Sequence, residues 1–163
     1  MKIALLSLVL FLSFWQAPSL QQLRDVYPQL SNDASLTEKI LESLDEVKPN
    51  DGAKLLGYKG AVQTVMAKHL RNKREKKEFF TQGVAQLEAA IAMAPNDIEL
   101  RCLRLSVQEN SPKFLGYHKA KAEDKAFLLT HFSETSSGSI SAFVKQYVVQ
   151  SDEFSEAEKS QFN

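Results

Sequence analysis

The chain has 163 residues, with 20 Lys plus Arg against 20 Asp plus Glu, 44% hydrophobic and 25% charged residues. Balanced charge excludes a strongly basic nucleic-acid-binding domain, and a single cysteine excludes an intramolecular disulfide framework or a multi-cysteine metal site. The apolar content is too high for a disordered chain, which leaves one globular domain.

Met1 and Lys2 precede an uncharged run from Ile3 to Trp15 that only Ser7 and Ser13 interrupt, followed by Gln16-Ala17-Pro18-Ser19. A short basic start, an apolar stretch and small residues two apart predict a secretory signal peptide over residues 1–19, cleaved after Ser19. The apolar run falls short of the roughly 20 residues that span a bilayer, so no integral membrane segment is expected after cleavage. The mature chain then has 144 residues, 19 basic against 20 acidic, and lacks Trp15, the sole tryptophan. These features predict an exported protein, periplasmic or secreted, with one helical domain over 20–150 and an acidic C-terminal tail over 151–163.

Proline punctuates the mature chain at 28, 49, 95 and 112, each near a boundary of a periodic segment, as a helical protein requires. The first helix is expected over Leu20 to Leu30, interrupted near Pro28. The second spans Ala34 to Val47, with Leu36, Ile40, Leu44 and Val47 on one face and the solvated acids Glu38, Glu42 and Asp45 on another. Asn50 or Asp51 caps a third helix running to Leu70. It carries Ala53, Gly57 and Ala61 at four-residue steps with Gly60 beside them, a small-residue stripe that predicts close approach by another helix. Tyr58 and Lys59 stand on the shoulder of that stripe as candidate ligand-binding residues.

Six cations, Lys68, Arg71, Lys73, Arg74, Lys76 and Lys77, face the single acid Glu75 at the next junction, read as a solvated turn or a contact for an anionic surface. The fourth helix steps through Phe80, Gly83, Leu87, Ile91 and Ala94 and stops at Pro95-Asn96-Asp97. A fifth helix, Asp97 to Glu109 with Asn96 as cap, has a broad apolar surface that includes Cys102, read as a buried and inert thiol. Its remaining stripe holds Arg101, Arg104 and Gln108. Two guanidiniums one turn apart can clamp a carboxylate or phosphate, so these three residues are candidate ligand contacts, against the plainer reading of pairing with Glu99 or acids of a neighbouring helix.

Ser111 to Tyr117 is an apolar loop. His118 to Phe132 forms a sixth helix with Ala122, Ala126 and Leu129 on one side, Glu134 to Ser139 breaks the pattern, and Ile140 to Val149 forms a seventh. Ser151 to Asn163 reads as a loose helical turn or frayed tail.

Gly83, Leu87, Ala90 and Pro95 resemble the second helix of a tetratricopeptide repeat, with Leu in the aromatic slot. The preceding helix of such a repeat would draw on Ala67, Leu70, Arg71 and Arg74, of which only Leu70 fits, and no second copy follows. Tyr58-Lys59-Gly60-Ala61, Leu87-Glu88-Ala89-Ala90-Ile91, Glu99-x-Arg101-x2-Arg104-x3-Gln108 and Pro112-x-Phe114-Leu115-x-Tyr117 together resemble an uncharacterised family of small exported all-helical bacterial proteins. That resemblance implies an all-helical fold and no mechanism.

The expected architecture is all-α: a multi-helix bundle or short tetratricopeptide-like hairpin array of six to seven helices. His69, His118 and His131 show no metal-ligand spacing, no nucleophile elbow or phosphate loop occurs, and neither a catalytic residue nor a metal nor a cofactor is assigned. The expected function is a non-enzymatic interaction or scaffold module of the cell envelope that binds a protein or peptide and no nucleic acid. The alternative is a binder of a small anion or lipid head group through the arginine pair, with Lys59 assisting, and an unrecognised hydrolase is a distant third.

Overall fold

A computed structural model describes residues 17–162, and the apolar part of the expected signal peptide lies outside them. Ser19 starts the first helix, α1 (Leu20–Leu30), through a capping box: its hydroxyl accepts from Gln22 N, and Gln22 Oε1 accepts from Ser19 N at 2.8 Å. The helix runs through Pro28 without the expected interruption. The ring sits in the last turn, where it removes one hydrogen bond, and buried Leu23 and Leu30 anchor the face.

Asp33 caps α2 (Ala34–Ser43), which ends one turn earlier than the apolar spacing suggests. Leu44 and Val47 are still buried, but as residues of two successive turns. Lys59 explains part of this ending, since its Nζ donates to the carbonyls of Asp45 at 2.5 Å and Val47 at 3.0 Å, groups that a continuing helix would have satisfied internally. Asp51 accepts from Lys48 N rather than capping α3 (Ala53–His69), whose cap is Gly52 at φ +111°.

A three-residue link joins α3 to α4 (Lys73–Met93), which Asn72 caps. Leu70 is the cap residue closing α3, Arg71 lies in the link and Arg74 on α4. The small residues do what their spacing predicts. A Cβ placed on Gly60 would lie 2.5 Å from the Gly83 carbonyl oxygen and 2.6 Å from Leu87 N, and one on Gly83 would lie 2.6 Å from the Gly60 oxygen. Because the obstructing atoms are backbone, the helices themselves would have to separate. Gly60→Ala should therefore destabilise by about 1–3 kcal/mol, read as a lower urea midpoint with unchanged slope. An unchanged midpoint would show that the two helices have room to spare.

Asp97, not Asn96, caps α5 (Ile98–Asn110). Every residue from Glu99 to Gln108 is buried, polar and apolar alike, so this helix has no solvent face. The helices α3 and α4, α6 (Lys121–His131) and α7 (Gly138–Gln150) all pack against it. Tyr27 of α1, Tyr58 of α3 and Phe143 of α7 meet in one aromatic cluster with ring centroids 6.0–6.1 Å apart. On α6 the buried residues are Asp124 and Leu128; of the expected stripe, Leu129 packs half-buried against the core while Ala122 and Ala126 are exposed.

Of the two readings of the C-terminal segment, the structure shows the helical turn and not the frayed tail. Ser155 caps the short α8 (Glu156–Lys159), and Phe154 and Phe162 on either side of it enter the core at 4% and 1% exposure. Phe162 stacks on Phe132 at 4.6 Å and meets Phe154 at 5.8 Å. Lys121 and Lys125 of α6 pair with Glu153 and Glu158, so the acids of this segment tether it to the bundle. Among the described residues the fold is all-α, with eight α-helices and no strand.

Candidate functional site

Polar side chains on α5 form three clusters, two buried and the third half-buried, each reaching a different neighbour. At the N-terminal end, fully buried Glu99 accepts from Arg24 of α1 through both carboxylate oxygens, at 2.7 and 2.8 Å, and from Tyr58 Oη at 2.8 Å. Lys54 Nζ lies 3.2 Å from the same carboxylate and from Asp97. This bidentate, charge-assisted arrangement is the geometry that offsets the cost of burying a carboxylate. Tyr58, a candidate binding residue in the sequence, is thus an internal donor to Glu99, and burial beside that carboxylate pushes its phenol well up.

Burial also pushes the Glu99 carboxyl up, but the hydrogen bonds from Arg24 and Tyr58 and the charges of Lys54 and Arg24 outweigh it and hold the group below its usual 4.5. The folded state therefore favours the ionised form. Its contribution is complete above about pH 4.5 and is lost as pH falls through the lowered value. From about pH 6 to about pH 3, the urea midpoint of the natural chain should fall more steeply than that of Glu99→Gln, and parallel curves would remove Glu99 from the acid response.

The arginine stripe builds the second cluster. Arg104 donates through Nε and Nη2 to the two oxygens of Asp124 at 2.7 and 2.6 Å, and Arg101 Nη1 reaches the same carboxylate at 2.9 Å. Arg101 also binds Glu123 and the Pro95 carbonyl and lies 5.1 Å over the Phe127 ring, while Arg104 reaches Glu88 at 3.2 Å. The two guanidiniums do clamp a carboxylate, and it is the chain's own Asp124, fully buried on α6. An external anion would have to displace it. Gln108, third on the stripe, is buried beside the loop that follows α5: His118 Nδ1 donates to its carbonyl at 3.0 Å. Gln108 Oε1 and His118 Nε2 have no hydrogen-bond partner among the described residues.

Lys59, as described above, is spent on the end of α2, so the five candidate residues do not converge on one site. At the far end of α5, Glu109 accepts from Tyr147 Oη at 2.7 Å, Ser151 Oγ at 2.9 Å and Asp152 N at 2.9 Å, binding α7 and the C-terminal segment. Between the ends of α5, α6 and α7 lies an open cleft of about 540 Å³ lined by Lys54, Asp97, Phe127, His131, Ser137 and Ile140. Its polar groups are already engaged, Lys54 with Asp97 and His131 Nδ1 with Glu134 at 2.9 Å. Cys102 is fully buried, and burial pushes its thiol up, which suits an inert core residue.

The plainer reading of the arginine stripe, pairing with acids of a neighbouring helix, is the one the structure shows, through Asp124 of α6 and Glu88 of α4, while Glu99 pairs with Arg24 and Lys54. The sequence did not single out Asp124 among those acids. The available signal was that Asp124 lies four residues before Leu128, on a helix whose only other apolar face is alanine-rich. No family model, curated protein or solved structure matches the chain. Fold and site together define an all-α bundle assembled around one buried, charge-bearing helix. No described helix is long and apolar enough to cross a membrane.

Proposed function

We propose that the protein is a non-enzymatic interaction or scaffold module of the cell envelope, exported to the periplasm or secreted after removal of residues 1–19. The observation that carries this reading is that Glu99, Arg101, Arg104 and Glu109, the chemically richest groups of the chain, are all committed to holding other helices in place. Such cross-links keep a helical frame rigid, and a preordered helical surface loses little entropy when a peptide or partner helix lies against it. The α3–α4 hairpin and its tetratricopeptide-like second helix support the same reading. A small anion held by Arg101 and Arg104 would first have to displace Asp124, which the module does not require.

Crosslinking and mass spectrometry in the native envelope compartment tests this: one reproducible protein partner is expected, and recovery of the protein crosslinked only to itself contradicts it. Cleavage after Ser19 would take the cap from α1, at about 1 kcal/mol, and would remove Trp15. Protein from the exported fraction should therefore show tyrosine fluorescence alone. A tryptophan emission band would contradict the cleavage.

A further inference from the structure

We propose that the end of the bundle formed by the α3–α4 link and the Phe114 loop docks on an anionic lipid bilayer, with the basic side chains against the head groups and Phe114 inserted beside them. This surface is separate from the α5 clusters and stands whichever protein the module binds.

Three observations carry it. Lys68, Arg71, Lys73, Arg74, Lys76 and Lys77 occupy ten residues at one end of the α3–α4 hairpin, all exposed but half-buried Lys76. Among the described residues none of the six makes an ion pair. Of the 13 other Lys and Arg in residues 20–163, seven make ion pairs: Arg24, Arg101 and Arg104 in the interior and Lys54, Lys121, Lys125 and Lys159 nearer the surface. Outside this run, residues 20–163 hold 13 basic and 19 acidic residues, so a neutral chain is polarised, with its excess positive charge gathered here.

The second observation is Phe114, 86% exposed, the most exposed large apolar side chain among the described residues. Its presentation is fixed by the backbone: Pro112 precedes a tight turn over Lys113–Leu115, and Gly116 closes it at φ +69°. Lys113 adds a further cation beside it.

The third observation places the two together. Phe80, one turn along α4 from Lys76 and Lys77, packs edge-on against Tyr117 at 6.1 Å, and Tyr117 Oη donates to Glu88 of the same helix. Tyr117 follows Phe114 by three residues, a reach of at most about 10 Å. The loop that carries the exposed ring is therefore held on α4 within one to three turns of the basic run.

This end suits an extended surface better than a point ligand. On a helix, Lys73, Arg74, Lys76 and Lys77 fan over an arc of about 160° on one side, which makes a convex array and not a concave pocket. A polybasic patch with an adjoining apolar side chain supplies the two contributions that interfacial anchoring combines. Base stacking along a nucleic acid would need several interleaved aromatics, and this surface exposes one.

The test uses the full chain carrying Trp15→Phe and Phe114→Trp, so that the reporter at position 114 is the only indole. Vesicles of phosphatidylcholine alone are compared with an equal mixture of phosphatidylcholine and phosphatidylglycerol. A retained signal segment would bind both, so the difference between them is the readout. Expected are a blue shift confined to the mixed vesicles and weakening at higher salt. Affinity should drop about fivefold for each cation removed, or several hundredfold for Lys73→Gln, Arg74→Gln, Lys76→Gln and Lys77→Gln together, with unchanged circular dichroism.

Equal binding to both vesicle types, or a quadruple variant that binds as before, would overturn the proposal. So would binding without a blue shift. Displacement by inorganic phosphate at matched ionic strength would reassign the surface to a small anion, and tighter binding to a single-stranded oligonucleotide than to the vesicles would reassign it to nucleic acid; either result also overturns it.

Discussion

Asp124→Ala should cost about 3–5 kcal/mol, because it leaves the guanidiniums of Arg101 and Arg104 buried without the carboxylate that all their shared hydrogen bonds converge on. Against a domain stability of about 5–15 kcal/mol, that is at least a fifth of the total. Glu123 and Glu88 cannot take over, since both lie at the exposed rim of the cluster while Asp124 sits at its centre. The cost belongs to breaking the cluster and not to lacking it. Asp124→Leu combined with Arg101→Met and Arg104→Met should therefore recover most of the loss, an apolar replacement of similar volume being often neutral or stabilising. Urea unfolding followed by circular dichroism separates the cases. A loss below about 1 kcal/mol for Asp124→Ala would mean that the arginines find solvent or other partners.

Ending the chain at Ser151 should cost about 3–6 kcal/mol, since it strips two buried phenylalanines, Phe154 and Phe162, each worth about 1.5–3 kcal/mol. The ion pairs of Lys121 and Lys125 with this segment lie near the surface and add little to that cost. The truncated chain should bind a hydrophobic dye such as ANS, because the rings of Phe132 and Tyr147 lose their covers. As a control, Asp152→Ser with Glu156→Ser alters the acidity of the segment at exposed positions and should stay within about 0.5 kcal/mol. Unchanged stability on truncation would return the segment to the frayed tail its composition suggests.

Helix identity was legible wherever prolines and apolar spacing agreed. The caps were read less well: α3 starts at Gly52 and α5 at Asp97 instead of at Asn50 or Asp51 and Asn96, and the caps Ser19, Asp33 and Asn72 were not singled out. The small-residue stripe of α3, by contrast, announced a close helix contact that the structure places at Gly60 and Gly83. Apolar periodicity failed where burial is not apolar. The inward face of α6 carries Asp124, so spacing pointed to the exposed alanines instead. On α5 the arginine stripe looked like the outer face of an amphipathic helix, yet that face is covered by α6, whose acid neutralises it. The C-terminal segment misled in the opposite way: its acids dominate the composition, whereas two well-spaced phenylalanines decide where it goes. A partnership between residues twenty or more positions apart, such as Arg104 with Asp124 or Arg24 with Glu99, leaves no local pattern to read.

Hydrogen exchange resolved to single amides is the most direct test of a bundle built around a helix without a solvent face. The amides of Cys102 to Gln108 should be among the slowest in the protein, exchanging only through global unfolding, with a free energy equal to that from urea denaturation. If they exchange as fast as those of α2, or at a free energy well below the global value, α5 is not the buried centre of this fold.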